Sequence, residues 1–306
     1  MKSDFLRLRD WSAADLDAIL ALTRELKNQQ KRGISHPLLA GKSLAMIFEK
    51  SSTRTRISFE TGMFQLGGHA LFLSSSNTQI GRGEPIKDTA RVLSRYVDGI
   101  MIRTYAQEDI EELAYYADIP VINALTDMYH PCQVMADMFT VLEHKGSYRD
   151  QTYCWIGDGN NMAHSWINAA TVLGFELRIA TPAGYEPDAG VVEWARAQDA
   201  NIIYTNDPLE AASGADILNT DVWASMGQEE EQEKRRQDFA GFQLNANTLA
   251  TANKGSLVLH CLPAHRGEEI TDDVIESSNS VVFDEAENRL HVQKAIMVAL
   301  MQNTKE

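Results

Sequence analysis

The chain has 306 residues, enough for two domains because a single hydrophobic core stops growing at about 250–300 residues. Hydrophobic residues make up 44% and charged residues 23%, as in an ordinary globular protein. Acidic residues (43) outnumber lysines and arginines (28), for a net charge of -15. This charge repels nucleic acid and anionic membranes, so we expect neither as a partner, and an anionic substrate would need a local, enclosed positive pocket.

The cysteines and the N-terminus indicate a cytoplasmic location. Cys132, Cys154 and Cys261 are odd in number and lack CxxC spacing, which favours a reducing compartment over a disulfide framework. No apolar run approaches the length of a membrane span. The segment Met1–Arg7 carries an early acid and no apolar signal core, so no secretion or transit peptide is expected.

Strands and helices alternate along the first half of the chain. A helix begins at Ser12 and ends near Gly33, and strand Ser43–Glu49 leads into a helix that Ser52 caps and Gly67-Gly68 closes. The elements that follow are strand Ala70–Leu73, loop Ser74–Gly83, helix Ile86–Tyr96, strand Gly99–Arg103, helix Glu108–Ala117, strand Val121–Ala124 and helix Pro131–His144. This order predicts parallel βαβ units.

A second alternating series begins after Lys145-Gly146-Ser147, the predicted domain boundary. Its elements are strand Thr152–Gly157, helix Asn161–Leu173, strand Glu176–Ala180, helix Ala189–Ala197, strand Ile202–Thr205, a short helix near Leu209–Ala212, strand Asp216–Thr220, strand Ser256–His260, helix Asp272–Glu276, strand Val281–Asp284 and a last helix from about Asn288 to Met301. The polar segment Gln228–Arg236 is most simply a solvated helix, and a moving lid over Asp221–Phe239 is the alternative.

These patterns predict an α/β protein with two doubly wound parallel-sheet domains in tandem. We expect the domains to be linked by helices, with the C-terminal helix returning to the first domain. The first domain would comprise residues 1–145 together with helix 288–306, and the second residues 146–287.

The segment Ser51–Arg56 breaks a local rule of helix formation. Arg54 and Arg56 lie in a first helical turn, where a cation opposes the helix macrodipole at a cost of about 0.3–1 kcal/mol. A bound phosphate or carboxylate would resolve the conflict through the free N–H groups, the nearby hydroxyls and a guanidinium fork. The alternative is an exposed polar turn with two solvated arginines.

Other unusual residues also collect after predicted strands, where doubly wound sheets bind ligands. They are Arg103, His130 to Gln133, Asn160-Asn161, Asp221 with Ser225-Met226-Gly227, and His260-Cys261-Leu262-Pro263. Arg289 is predicted to be a second cation at a helix start, after the strand Val281–Asp284.

Each of these features also has a purely structural interpretation. His130 could be a helix-entry residue before a proline at the first helical position, and Arg103 could pair with an acid at a strand end. Cys261 could be a buried small hydrophobe, and Asp221 could cap the next segment. Their shared position at one end of the sheets favours function.

Two other kinds of site have weak support. Gly157-Asp158-Gly159-Asn160-Asn161-Met162 begins like a dinucleotide fingerprint, but Met162 replaces the last glycine, so an NAD-linked oxidoreductase is disfavoured. The P-loop motif GxxxxGK[ST] is absent. The set His130, Cys132, His260, Cys261 and His265 lacks the HExxH and paired CxxC spacings of metal sites.

Ser-Thr-Arg-Thr-Arg at residues 52–56 and His-Pro-x-Gln at 130–133 resemble the aspartate and ornithine carbamoyltransferases. Asp221-x-x-x-Ser225-Met226-Gly227 and His260-Cys261-Leu262-Pro263 resemble the ornithine enzymes in particular, whereas the aspartate enzymes have a Pro-Leu-Pro-Arg type segment at the latter place. The resemblance runs from the first helix to the last. It implies transfer of the carbamoyl group of carbamoyl phosphate to the δ-amine of L-ornithine in arginine biosynthesis.

The resemblance also implies roles for individual residues. Carbamoyl phosphate would bind in the first domain and ornithine in the second. The carbamoyl phosphate contacts would be Ser52, Thr53, Arg54, Thr55, Gln79, Arg103, His130, Gln133, Cys261, Leu262 and Arg289. The ornithine contacts would be Asn161, Asp221, Ser225 and Met226. The catalytic residues would be Arg54, Arg103, His130 and Cys261.

No metal and no organic cofactor is implied, because carbamoyl phosphate arrives already activated. The family resemblance further implies a homotrimer or multiples of it, with Gln79 lent to a neighbouring subunit. Two alternatives stay open: a carbamoyltransferase for a related amine such as putrescine or acetylornithine, and a non-catalytic anion-binding homologue.

Overall fold

The computed structural model describes residues 4–74, 83–224 and 231–302. The chain divides into two compact units, Met1–Ala136 with Glu287–Glu306, and Asp137–Ala286. Within the described residues, every helix is too short or too polar to cross a lipid bilayer.

The first unit is a four-stranded parallel sheet with helical connections. After a 3-10 helix at Leu8–Asp10, its elements are α1 (Ala13–Lys31), β1 (Ser43–Phe48), α2 (Thr53–Gln65), β2 (His69–Ser74), α3 (Ile86–Tyr96), β3 (Gly99–Arg103), α4 (Gln107–Tyr116), β4 (Val121–Leu125) and the start of α5 (Pro131–Lys145). The strand order is β2-β1-β3-β4. The order therefore reverses between β1 and β3.

The apolar content of these strands explains the sheet. All five residues of β3 and the last five of β1 are buried, as expected for parallel strands covered on both faces. Ser12 caps α1 by accepting a hydrogen bond from the Asp15 N–H, and Ser52 caps α2 in the same way through Thr55. Both caps agree with the sequence prediction.

The second unit is a five-stranded parallel sheet with the same kind of connections. Its elements are β5 (Thr152–Ile156), α6 (Asn161–Leu173), β6 (Glu176–Ala180), α7 (Ala189–Ala197), β7 (Ile202–Thr205), α8 (Pro208–Ala212), β8 (Ile217–Thr220), α9 (Gln232–Asp238), α10 (Ala246–Thr251), β9 (Leu257–His260) and α11 (Asp272–Ile275). The strand order is β7-β6-β5-β8-β9, so it reverses between β5 and β8. The prediction of two parallel-sheet α/β domains is confirmed.

The predicted strand Val281–Asp284 is wrong, because α12 occupies Val282–Met301. Ser280 forms one isolated bridge with Val258, and the chain then turns directly into the helix. Asp284 and Glu285 lie in the first turn of α12, where carboxylates favour the helix macrodipole. A short apolar run does not distinguish a strand from the start of a buried helix.

Arg289 therefore has a different position from the predicted one. It lies in the interior of α12 and not at a helix start, so the predicted second cation at a helix N-terminus is also wrong. From Glu287 onward α12 belongs to the first unit, as the predicted return of the C-terminal helix requires. The polar segment 228–236 overlaps α9, in which the Arg235 side chain is buried and not solvated.

Candidate active site

The unusual residues follow strands in both sheets. In the first unit, Ser52 follows β1, Arg103 ends β3 and His130 follows β4; in the second, Asn160, Asp221 and Cys261 follow β5, β8 and β9. Ser52 with Arg103, and Asn160 with Asp221, flank the point where the strand order of their sheet reverses, which is where doubly wound sheets place their ligands. The predicted position of these residues after strands is therefore found in each unit.

A hydroxyl cluster lies at the N-terminus of α2. The Ser52 hydroxyl oxygen accepts a hydrogen bond from the Thr55 N–H over 3.2 Å and donates to Thr55 Oγ1 over 3.1 Å. Thr55 is buried at 1% exposure, whereas Thr53 and Arg54 are exposed. The first turn of α2 has no acidic residue, so its partial positive charge is left for an anion.

Arg56, the second arginine of this turn, has partners within the first unit. Arg56 donates from Nε to Glu60 Oε1 over 3.0 Å, and its guanidinium carbon lies 3.8 Å from the centre of the Phe72 ring. A helix ion pair and a cation–π contact account for Arg56 without any ligand. The phosphate contact predicted for this turn is Arg54 and not Arg56.

Arg289 joins α12 to the same cluster. Its Nη2 donates to Thr55 Oγ1 over 3.2 Å and its Nη1 donates to Gln133 Oε1 on α5. The Arg289 side chain is 4% exposed, and Gln133 is 1% exposed. Three elements far apart in the sequence thus place a guanidinium, an amide and a hydroxyl together, which could bind a phosphoryl oxygen and a carbamoyl group.

His130 lies in the positive field of this cluster. Burial lowers the pKa of His130 well below its usual value, and the charges of Arg289 and Arg103 lower it further. The imidazole is therefore neutral at pH 7, a state in which one ring nitrogen donates a hydrogen bond. A neutral donor beside two guanidinium groups can polarise a carbonyl oxygen without giving up a proton.

The backbone of Arg103 is held at the end of β3. The Glu49 and Lys50 N–H groups both donate to the Arg103 carbonyl oxygen, over 2.9 and 3.4 Å. The Lys50 ammonium is buried against Asp127 and lies 4.3 Å from the centre of the Tyr105 ring. These contacts join the loops after β1, β3 and β4, and they stabilise the carboxyl edge of the sheet.

In the second unit, Asn160 connects the start of α6 to Asp221. Its Oδ1 caps the helix by accepting from the Met162 and Ala163 N–H groups, and its Nδ2 donates to Asp221 Oδ2 over 3.4 Å. Asn161 is partly exposed at the first position of α6. An amide and a carboxylate together suit a zwitterionic amino acid.

The glycines of the disfavoured dinucleotide motif, Gly157 and Gly159, have a packing role. Gly157 has φ +143, which favours glycine, and a Cβ on Gly159 would lie 2.3 Å from Pro187 N and 2.4 Å from the Glu186 carbonyl carbon. The motif therefore allows a close approach of two backbone segments.

Cys261 contacts the same carboxylate. Its Sγ donates to Asp221 Oδ1 over 3.1 Å, and the Val222 N–H donates to the same oxygen over 2.8 Å. Burial raises the pKa of the Cys261 thiol well above its usual value, and the negative charge of Asp221 raises it further. Cys261 is therefore a protonated donor at neutral pH and a poor nucleophile.

A buried network holds the turn after β9. The Leu262 N–H donates to His260 Nδ1 over 2.9 Å, so Nε2 carries the ring proton and donates to Glu269 Oε1 over 3.0 Å. The same Glu269 oxygen accepts from the His265 N–H over 2.7 Å. Leu262 adopts a left-handed backbone with φ +56, which this hydrogen bonding stabilises.

Arg235 links α9 to the loop after β5. Its Nη1 donates to Asp158 Oδ2 and to the Trp223 carbonyl oxygen, each over 2.8 Å. Burial raises the pKa of Asp158, while the Arg235 charge opposes that shift. Trp223 lies two residues after Asp221, so Arg235 supports the segment that presents Asp221.

Two clusters bring potential metal ligands within 4.8 Å of one another, Asp221 with His260 and Cys261, and His265 with Glu268 and Glu269. In the first, both ring nitrogens of His260 already form hydrogen bonds. In the second, Glu268 forms an ion pair with Arg236 at 2.5 Å. These contacts give the side chains partners within the protein.

Three predicted site residues, Gln79, Ser225 and Met226, lie outside the described residues, and so does the loop around Gln79. The predicted contacts in the first unit are Ser52, Thr53, Arg54, Thr55, Arg103, His130, Gln133 and Arg289, and those in the second are Asn161, Asp221, Cys261 and Leu262. Sequence reasoning missed Glu269 and Arg235. No motif marks either residue, because the Arg235–Asp158 contact spans 77 positions and the His260–Glu269 contact depends on how the loop between them folds.

Comparison with known families identifies both halves of the chain. Residues 3–143 match the carbamoyl-P binding domain of aspartate/ornithine carbamoyltransferase, and residues 149–300 match its Asp/Orn binding domain. The two matches together span nearly the whole chain.

Individual relatives agree with these matches. The chain is 70% identical over 301 residues to the ornithine carbamoyltransferase of Syntrophotalea carbinolica (98% of this chain, 100% of that protein) and 60% identical over 303 residues to that of Geobacter metallireducens (99% and 100%). The ornithine carbamoyltransferase structure from Pyrococcus furiosus has a TM-score of 0.95 at 52% identity and covers 99% of this chain and 98% of its own. The chain belongs to the aspartate/ornithine carbamoyltransferase family.

Proposed function

We propose that this protein transfers the carbamoyl group of carbamoyl phosphate to the δ-amine of L-ornithine, giving L-citrulline and phosphate. The observation that carries the proposal is the buried contact of Arg289 with Gln133 and Thr55, beside the acid-free N-terminus of α2. Such a cluster offers cationic and neutral donors to a small anion that also has an amide end.

In this reaction negative charge develops on the carbonyl oxygen and on the leaving phosphate, so fixed donors should supply most of the catalysis. Ser52, Thr53, Arg54 and Thr55 would hold the phosphate, with Arg103 and Arg289 beside it. Thr55, Arg103 and neutral His130 would polarise the carbonyl oxygen, and the Gln133 side chain would fix the carbamoyl NH2 group. The role of the Leu262 carbonyl at the same NH2 group stays a prediction.

The second unit, with Asp221 and Asn161, would bind ornithine. The Asp221 carboxylate suits an ammonium group, and the Asn161 amide suits a carboxylate. Ser225 and Met226 would complete this set by family resemblance. Because ornithine carries an extra amine, its pocket needs acid and amide groups and not an arginine.

The δ-amine must lose its proton before it attacks, so turnover should increase with pH as the neutral amine appears. Cys261 would lie near the δ-amine as a protonated thiol, which is consistent with its raised pKa. Its role is then to orient the amine and not to form a covalent intermediate.

A steady-state assay tests the proposal. With carbamoyl phosphate, L-ornithine should give citrulline with a kcat/KM far above the values for putrescine, N-acetylornithine and L-aspartate. Preference for putrescine or acetylornithine would reassign the acceptor, and absence of turnover with every amine would leave an anion-binding homologue. Phosphate release and citrulline formation should be equal in amount.

We also infer a homotrimer or a multiple of it; the number of copies comes from family resemblance. Edge strand β2 has no fully buried residue, although parallel strands are usually covered on both faces. Leu71 and Phe72 on β2 and Ile57 and Phe64 on α2 are exposed, with Phe64 at 80%. Such apolar edges mark interfaces.

Light scattering should give three times the chain mass, or a multiple of that value. Phe64→Glu should lower this mass if the apolar edge is the interface. A wild-type mass equal to one chain would reject the trimer.

We also propose a cytoplasmic location. The three free cysteines, Cys132, Cys154 and Cys261, support it, because cysteines stay reduced in that compartment.

A further inference from the structure

A buried lysine on α1 contacts the part of α12 that carries Arg289. Lys27 is 4% exposed, and its Nζ donates to Asn288 Oδ1 over 2.7 Å. Asn288 is fully buried and directly precedes Arg289 in the helix. The Glu287 carboxylate lies 3.9 Å from the same ammonium group but is 43% exposed.

Burying the Lys27 ammonium group is an unfavourable way to stabilise a contact between two helices. Moving an ammonium group out of water is unfavourable, and well-packed apolar side chains often stabilise a fold as well or better. Local rules of this kind tend to be broken where function requires it. The Lys27–Asn288 pair is therefore a candidate for a role beyond stability.

The geometry points to that role. Because consecutive helical residues have fixed relative directions, holding Asn288 sets the rotation and height of the turn that carries Arg289. The contacts of Arg289 with Thr55 and Gln133 depend on that position, since hydrogen bonds weaken within a few tenths of an ångström.

A second polar attachment lies on the C-terminal side of Arg289. The Lys294 ammonium donates to Gln65 Oε1 over 2.9 Å and to His36 Nε2 over 2.8 Å. His36 Nδ1 lies 2.8 Å from the Ile34 carbonyl oxygen, so Nδ1 carries the ring proton and Nε2 accepts. Directional bonds therefore hold α12 on both sides of Arg289.

We infer that Lys27 is a positioning residue for carbamoyl phosphate binding, acting through Asn288 on the placement of Arg289 without touching the substrate. The inference rests on the proposed function. It assigns the buried α1–α12 contact to affinity for the phosphate-bearing substrate and not to ornithine affinity.

The test compares three variants of the full-length protein. Lys27→Met removes the ammonium group, and Lys27→Met/Asn288→Leu removes both polar partners and refills the space with apolar groups. Lys31→Met is the matched control, since Lys31 lies one turn further along α1, is 59% exposed and pairs only weakly with Glu287 at 3.7 Å.

We expect both Lys27 variants to raise the KM for carbamoyl phosphate by about tenfold or more, because a displaced Arg289 guanidinium would lose charge-assisted hydrogen bonds to the substrate. The KM for ornithine should change by less than about twofold, and the double variant should unfold at or above the wild-type temperature. Affinity for inorganic phosphate, measured by calorimetry without turnover, should fall in parallel. Lys31→Met should match the wild type in all of these measurements.

An unchanged carbamoyl phosphate KM and phosphate affinity in the double variant would overturn the inference. Equal losses for both substrates, or losses that simply follow the melting temperature, would also overturn it by indicating a structural role. Failure of the proposed function is a different result, since the wild type itself would then form no citrulline.

Discussion

The Cys261 thiol donates a hydrogen bond to Asp221 over 3.1 Å, so the one partly exposed cysteine of the chain lies directly against a carboxylate. Burial is the larger cause of its raised pKa, and the Asp221 charge adds to it. This relationship predicts chemistry that differs from that of a nucleophilic cysteine.

Asp221→Asn should make Cys261 more reactive. Without the carboxylate charge the thiol pKa falls, and alkylation by iodoacetamide at pH 8 should accelerate by about threefold for each unit of decrease, since lower basicity offsets part of the gain in thiolate. Mass spectrometry of modified peptides measures this rate. Cys132 should stay unmodified, because burial raises its pKa to about 12.

The control for this experiment is Asp238→Asn. It removes a carboxylate that accepts a hydrogen bond from the Tyr185 hydroxyl and not from Cys261. It should leave the alkylation rate of Cys261 unchanged. A faster reaction in the wild type than in Asp221→Asn would contradict the assignment. Asp221→Asn should also impair ornithine use more than carbamoyl phosphate binding.

Arg54→Ala should nearly abolish turnover with the fold retained. Loss of a charge-assisted phosphate contact that tightens in the transition state should cost about 3 kcal/mol or more, which is over about 100-fold in kcat/KM. Steady-state kinetics measure the loss, and circular dichroism checks the fold.

Arg56→Ala is the matched control, two residues further along α2. Arg56 contacts Glu60 and Phe72, so its removal should cost about 1 kcal/mol of stability and little activity. Equal kinetic losses in the two variants would show that the distinction between these arginines is wrong.

The parts of the site that could be predicted are those whose residues lie close together in the sequence or follow a clear strand. The N-terminus of α2 was predictable because Ser52 and Thr55 are three residues apart and follow a clear strand, and the residues after β5, β8 and β9 followed from alternation. The place of Arg289 in α12 was not, because the apolar run Val281–Phe283 suits a strand equally well.

The contacts that hold the site residues in place were harder to predict from the sequence. Arg235 bonds to Asp158 across 77 positions, and Arg289 bonds to Thr55 across 234, so no local pattern could pair them. The sequence therefore indicated which residues are chemically unusual, while their geometry came from the packing of distant elements.

Gly159→Ala should damage the loop that leads to Asn160. The new Cβ would lie 2.3 Å from Pro187 N, a backbone atom that cannot move alone, so we expect a loss of about 1–3 kcal/mol in unfolding free energy and a higher ornithine KM. Gly190→Ala in α7 is the control and should stay within about 1 kcal/mol of the wild type, since its nearest contact is the Asp188 side chain at 3.2 Å. Urea unfolding compares the two, and equal stability in both would disprove the steric argument.

His130 should lower the free energy of unfolding at acidic pH. Its folded-state pKa lies well below the usual 6.5, so the unfolded chain binds more protons as the pH falls through 6.5. The stability due to neutral His130 is therefore present above pH 6.5 and is lost at lower pH. In urea unfolding, the wild type should lose more stability between pH 7 and pH 5 than His130→Gln does.

The same lowered pKa predicts the form of the pH–rate profile. Because His130 stays neutral, kcat/KM should show no histidine titration between pH 5.5 and 7 and should rise only as the δ-amine of ornithine loses its proton. His130→Gln should lower kcat at every pH without changing the pH at which the rate rises. The Gln amide is also a neutral donor, but it would be positioned less well than the imidazole. A rise that shifts in His130→Gln would instead identify His130 as the titrating base, contrary to the burial and the two neighbouring guanidinium groups that keep it unprotonated.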